Sequence, residues 1–121
     1  MRLLLGLGAL IIGVWIAGLA LAQQPLSPQR ELYRSLGCFK DTSTLDLDGH
    51  LERSAQNTPQ RCIAICKDKG FRYAAVQYGE SCLCGNSYGK YGVAANCDMK
   101  CTGGPMTCGG YSANEVFDAG N

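Results

Sequence analysis

A small disulfide-rich α+β domain, with a short helix stapled to an antiparallel sheet behind a secretory signal peptide, is the architecture these 121 residues point to. Three observations carry that expectation. The chain holds 8 Cys, a density that belongs to small secreted scaffolds rather than to an ordinary cytosolic enzyme. Its longest apolar run is a single N-terminal block, and the remainder is more polar than the 46% hydrophobic content suggests. Two Cys pairs are spaced so that each shares one face of an element: Cys62 and Cys66 on a helix, Cys82 and Cys84 on a strand. The length suits one domain and not two.

Residues 1–22, MRLLLGLGALIIGVWIAGLALA, read as the signal peptide. Arg2 supplies the positive start, the run from Leu3 to Leu21 is apolar throughout, and Ala20-Leu21-Ala22 has the small-x-small form of a cleavage site. The run just reaches membrane-spanning length, so an uncleaved anchor is the rival reading. No other stretch is apolar enough to span a bilayer, and Glu115 to Asn121 is too polar for a lipid-anchor signal. Residues 23–31 read as a short disordered linker. The expected location is outside the cell.

Formal net charge is +1, from 11 Lys and Arg against 10 Asp and Glu. Loss of Arg2 with the signal peptide brings it to zero. A nucleic-acid binder needs a basic face to displace counterions, and an anionic membrane surface needs a basic patch; neither is expected as a partner. A domain of this size buries only about two-thirds of its unfolded surface, so disulfides are the expected reinforcement.

In NTPQRCIAICKDKG, Thr58 is a natural N-cap and Pro59 fits the first helical position, where no N–H is needed. Lys67 and Lys69 suit the negative end of the helix dipole, and Gly70 suits a left-handed stop. The helix therefore runs from Thr58 to Lys69, with Cys62 and Cys66 one turn apart. Phe71 to Tyr78 then reads as a strand, Gly79-Glu80 as a two-residue turn, and Ser81 to Gly85 as the returning strand. Cys82 and Cys84 point to one sheet face. Two parallel bridges, Cys62–Cys82 and Cys66–Cys84, are the simple solution; crossed pairs would reverse the helix against the strand. Each closes a loop of about 20 residues, for which the chain-entropy model gives about 3 kcal/mol. Cys101–Cys108 suits the tight reversal of TGGPMT. Cys38–Cys97 follows by elimination. Zinc ligation by the clustered Cys is the competing reading, disfavoured by the even count and the export signal, and the sequence contains no C-x-x-C redox motif. No metal and no cofactor are expected.

The order Gly37-Cys38-Phe39-x-Asp41, Thr58-Pro59-x3-Ile63-x2-Cys66-x3-Gly70, Tyr73-Ala74-x2-Gln77-Tyr78-Gly79-x2-Cys82-x-Cys84-Gly85-Asn86, Asn96-Cys97-x3-Cys101 and Cys108-Gly109-Gly110 resembles the WSC domain family. The resemblance covers residues 32–118. It implies a compact α+β fold similar to PAN/apple modules and the pairing 38–97, 62–82, 66–84 and 101–108. The family occurs in fungal cell-wall stress sensors, in polycystin and Kremen receptors and beside secreted enzymes, and is regarded as a carbohydrate-binding module. The resemblance thus implies a polysaccharide or glycoconjugate partner, and a place outside the cell or in association with its wall. The stalk, membrane span and cytoplasmic tail of the sensors have no counterpart in this sequence, so sensing and receptor roles are not carried over unless the N-terminal segment stays as an anchor.

Enzymatic constellations are weak. His50 is the only histidine, and disulfides consume the thiols that a Cys-His site would need. Asp46, Asp48 and Glu52 lack the remaining ligands of a calcium loop; a solvated loop between Asp41 and Asn57, with His50 exposed in it, is the expectation. No catalytic residue is assigned. Sugar recognition asks instead for flat aromatic faces against C–H surfaces, with polar groups that orient hydroxyls. Tyr88 and Tyr91 lie in the Gly-rich segment GNSYGKYGVAANCD beside Asn86, Lys90, Asn96 and Asp98, and Tyr78 precedes the turn. The candidate glycan contacts are therefore Tyr78, Asn86, Tyr88, Lys90, Tyr91 and Asp98. Asn86 is equally suited to holding its turn. Phe39, Ile63, Phe71, Tyr73, Val76 and Phe117 read as core, and Tyr33 and Tyr111 are left open. The leading function is a non-catalytic secreted module for β-glucan, chitin or xylan. The alternative is an extracellular protein-interaction module or effector without sugar affinity.

Overall fold

The computed structural model describes residues 34–121. The expected signal peptide, linker, Tyr33 and the start of the 32–118 domain lie outside the described residues. In chain order the elements are β1 (Ser35–Lys40), β2 (His50–Arg53), α1 (Pro59–Asp68), β3 (Tyr73–Gln77), β4 (Ser81–Gly85) and β5 (Ala113–Asp118). The strands form one antiparallel sheet in the order β1-β5-β3-β4-β2. The alternation of side chains along each strand gives the sheet two covered faces.

One face takes α1. Ala74, Val76, Cys82, Cys84 and Phe117 of the sheet pack against Cys62, Ile63 and Cys66 of the helix. The helix starts where its cap is: the Thr58 hydroxyl accepts from Arg61 N at 3.1 Å, and Pro59 occupies the first turn. It stops at Lys69, and Gly70 follows with φ +84°, the left-handed conformation its sequence position suggested. Cys62–Cys82 and Cys66–Cys84 staple this helix to β4. Cys38–Cys97 ties β1 to the late loop, and Cys101–Cys108 closes a small loop. No cysteine is free, so the thiolates that a zinc site needs are taken up in bridges.

The other face is covered by irregular chain. Ala75, Leu83 and Val116 pack with Leu47, and Phe39, Leu45, Tyr73 and Tyr88 lean on that cluster. Here the solvated loop expected between Asp41 and Asn57 is corrected. Leu47 is fully buried and Asp41 and Asp46 are buried, and the segment contains β2. Asp46 belongs inside because its carboxylate caps backbone donors, accepting from Gly89 N at 2.6 Å and Lys90 N at 3.3 Å. Asp41 accepts from Thr42 N and Asp46 N, each at 2.9 Å. His50 is correspondingly half-buried in β2 and not an exposed loop residue.

The β3–β4 turn also differs from expectation. Gln77 pairs with Ser81, so the turn is Tyr78-Gly79-Glu80 and begins one residue early. Tyr78 and Gly79 have φ +52° and +75°. Their N–H groups do not bond across the hairpin. Tyr78 N donates to Gly110 O at 3.3 Å and Gly79 N to Cys108 O at 3.0 Å. The turn is thus docked on the Cys101–Cys108 loop, and this long-range contact overrides the local turn preference.

Candidate functional site

Register across the face away from α1 sets side chains in rows. Leu51, Leu83, Ala75 and Val116 form an apolar row on neighbouring strands. Two residues along, Arg53, Ser81, Gln77 and Asn114 form a polar row, because the same pairings continue. The polar row reaches the sheet end where the Tyr78 turn lies. A shallow depression of about 470 Å3 opens there, with Arg53, Gln77 and Ser81 from this row. Tyr78, Glu80, Tyr111 and Ser112 complete its lining.

Two tyrosines rim it. Tyr78 is 50% exposed and Tyr111 is 75% exposed. Their ring centroids are 6.2 Å apart at an interplanar angle of 70°, an edge-to-face arrangement. Both are presented by hydrogen-bonded turns. Tyr111-Ser112 is a two-residue reversal closed by reciprocal bonds between Gly110 and Ala113, with Ser112 at φ +49°. Asn96 Nδ2 donates to Tyr111 O at 3.0 Å, and Asp41 N donates to Ser112 O at 2.9 Å. The Tyr78 N–H bond to Gly110 O links the two turns. Arg53 and Glu80 face each other with Nε to Oε1 at 3.7 Å, both well exposed. The rim therefore carries one charge of each sign.

The other expected contacts stand elsewhere. Tyr88 is half-buried, its ring edge-to-face against Phe39 at 5.1 Å and Tyr73 at 4.7 Å. Tyr91 is half-buried and its hydroxyl donates to Thr44 O. Lys90 is exposed with its Nζ 5.3 Å from the Tyr91 ring centroid. These two form a polar shoulder over the Asp46 loop. Asn86 is exposed and its Oδ1 accepts from Arg72 N at 3.1 Å, so it holds the turn after β4. Asp98 is exposed in the late loop. Of the six, only Tyr78 lines the depression. Tyr111 was left open by the sequence; the Gly109-Gly110 before it, which suits a reversal, is the signal that could have found it.

A second polar cluster lies on the helix side of β2. His50 Nε2 sits 2.9 Å from Glu52 Oε1, and Arg61 Nη2 sits 3.5 Å from Glu52 Oε2. The hydrogen bond from His50, aided by the Arg61 charge, holds the Glu52 carboxyl below its ordinary value against a smaller effect of burial.

The fold and surface define a class: a four-disulfide module with one helix on a five-stranded sheet and a shallow, tyrosine-rimmed, polar-floored depression. The WSC domain family model matches residues 35–110, and the chain belongs to that family. It is 37% identical over 94 residues to xylosyltransferase oxt of Drosophila melanogaster, covering 71% of this chain and 10% of that protein. It is 36% identical over 97 residues to human Kremen protein 1, covering 75% of this chain and 20% of that one. Human Kremen protein 2 is 37% identical over 89 residues, covering 69% of this chain and 19% of the relative. The chain thus spans between a tenth and a fifth of the length of these relatives. Among the described residues, no helix is long and apolar enough to cross a membrane.

Proposed function

We propose that this chain is a non-catalytic carbohydrate-binding module, exported with removal of residues 1–22, that holds an extracellular or cell-wall polysaccharide across Tyr78 and Tyr111. The observation that carries this reading is the exposed tyrosine pair over a polar floor. Sugar C–H faces stack on aromatic rings, and the floor supplies hydrogen-bond partners for hydroxyls. A shallow, open site fits a chain ligand held by many weak contacts rather than an enclosed small molecule. Tyr91 and Lys90 are a secondary contact for a longer polymer. The test uses oxidised protein recovered from a secreting host, mixed with insoluble β-1,3-glucan, chitin, cellulose or xylan. Selective pelleting, competed by soluble oligosaccharide and lost in Tyr78→Ala and Tyr111→Ala, is the expected result. Folded protein that stays in solution with all four polymers overturns it and leaves a protein-interaction module as the account.

A further inference from the structure

The floor of the depression contains a side-chain amide whose orientation is fixed. Gln77 Nε2 donates to Asp41 Oδ2 at 2.8 Å and to Asn114 Oδ1 at 3.1 Å. An ionised carboxylate only accepts, so the amide nitrogen must face Asp41, and both of its protons are used. Asp41 cannot turn away, because its other oxygen accepts from Thr42 N and Asp46 N. Asn114 is fully buried, and its own Nδ2 has no partner among the described residues. An amide would normally turn to satisfy that donor. It is held with the oxygen towards Gln77 instead. Among the described residues nothing donates to Gln77 Oε1, and Gln77 lines the depression. The network thus leaves the amide one group for a ligand, a carbonyl oxygen.

We propose that Gln77 Oε1 is the specificity-determining acceptor of this site, with Asp41 and Asn114 as positioning residues, and that it selects ligands presenting O–H or N–H donors over sugars presenting carboxylate. This rests on the glycan-binding reading. The Arg53–Glu80 pair leaves the rim without net charge, so no surplus cation offsets the mismatch between Gln77 Oε1 and an anionic acceptor. The preferred class is a neutral polysaccharide over a polyuronate.

The network also supplies an inversion. In Asp41→Asn the side-chain oxygen must stay with Thr42 N and Asp46 N, which places its NH2 against Gln77. Gln77 then turns its oxygen inward and its NH2 to the depression. Asn114 can follow, donating its formerly unpaired Nδ2 to the Gln77 oxygen. The buried bonds are conserved in number, while the exposed acceptor becomes a donor. The test titrates wild type and Asp41→Asn with neutral hexaoses of β-1,3-glucan, xylan and chitin, and with hexagalacturonate. Side-chain NH2 exchange at Gln77 is followed by NMR. Wild type is expected to bind a neutral hexaose about tenfold or more tightly than hexagalacturonate, and the variant to narrow that gap about tenfold. The Gln77 NH2 protons exchange slowly in wild type and fast in the variant. An unchanged gap with fast variant exchange overturns the assignment. So does free-amide exchange in wild type, which decides the matter even if the variant does not fold. Binding that survives Tyr78→Ala and Tyr111→Ala overturns the location of the glycan site, whereas binding that those variants abolish but Asp41→Asn leaves unaltered overturns only the role of Gln77.

Discussion

Asn57 joins three parts of the domain, and its replacement has a calculable effect. It is fully buried just before the helix cap. Its Nδ2 donates to Gly79 O and Ser81 O, each at 3.1 Å, and its backbone oxygen accepts from Gly103 N at 2.9 Å. Asn57→Ala removes both side-chain bonds, each worth about 1 kcal/mol net. Gly79 O keeps Thr102 N at 3.2 Å, which limits the loss. Removal of the buried, unpartnered Oδ1 returns part of its desolvation cost. The expected destabilisation is about 2 kcal/mol, or about 8–16 °C in Tm for a domain of this size. Asn57→Asp is worse, because it sets a carboxylate against two carbonyl oxygens. The penalty is about 3–5 kcal/mol at neutral pH. That carboxyl has a folded pKa above its unfolded value, so its penalty is absent below the unfolded value and grows as pH rises. Urea titration followed by far-UV circular dichroism, with the disulfides intact, reads both variants at about pH 7 and pH 4. An Ala variant within about 0.5 kcal/mol of wild type, or an Asp variant with the pH dependence of wild type, would refute the reasoning.

Three further outcomes follow from the same structure. Cys38–Cys97 spans 59 residues and Cys101–Cys108 spans 7, so replacing the first pair by Ala costs about 4 kcal/mol and the second about 2 in the chain-entropy model; equal losses in denaturant titrations contradict that ordering. Gly109 has φ +68°, and a Cβ there would lie 2.3 Å from Val76 O and 2.6 Å from Ala113 O. Gly109→Ala therefore costs about 3 kcal/mol or more, and a thermal melt matching wild type would show that the 108–110 turn is not pinned. Burial raises the Glu115 carboxyl above its ordinary value, against smaller opposing bonds from Ser35 and Thr107. Its contribution is most favourable below the unfolded value and is lost as pH rises through the folded one. Glu115→Gln is thus expected to raise Tm at neutral pH and to lose that advantage in acid; a gain confined to acid would reverse the sign and the explanation.

The cysteine frame was the most legible part of the chain because its signals are local. An i,i+4 pair on a capped helix and an i,i+2 pair on a strand meet only if the helix lies across that strand, and Thr58, Pro59 and Gly70 mark the helix ends. The segment from Asp41 to Asn57 was illegible for the opposite reason. Its polar residues look solvated, yet Asp46 is buried by backbone donors more than forty positions away, a pairing that no local pattern encodes. The four-residue β2 strand, HLER, is too short for periodicity to declare. Tyr88 reads as a loop tyrosine until Phe39 and Tyr73 arrive from other strands to enclose its ring. Tyr111 shows the converse: its exposure depends on a reversal that tilts it outward beside Tyr78. Of the candidate contacts, Tyr78 was reached from its place beside a turn, although that turn begins one residue earlier than local preference suggests.

The most direct test of the central claim is chemical-shift mapping of the oxidised, isotope-labelled protein titrated with soluble β-1,3-glucan, xylan and chitin oligosaccharides. The account predicts saturable shifts centred on Tyr78, Tyr111, Gln77 and Ser81, abolished in Tyr78→Ala with the remainder of the spectrum intact. Shifts centred on Tyr88 and Asp98 would contradict the placement of the site, and no saturable shift with any of the three would contradict carbohydrate binding itself.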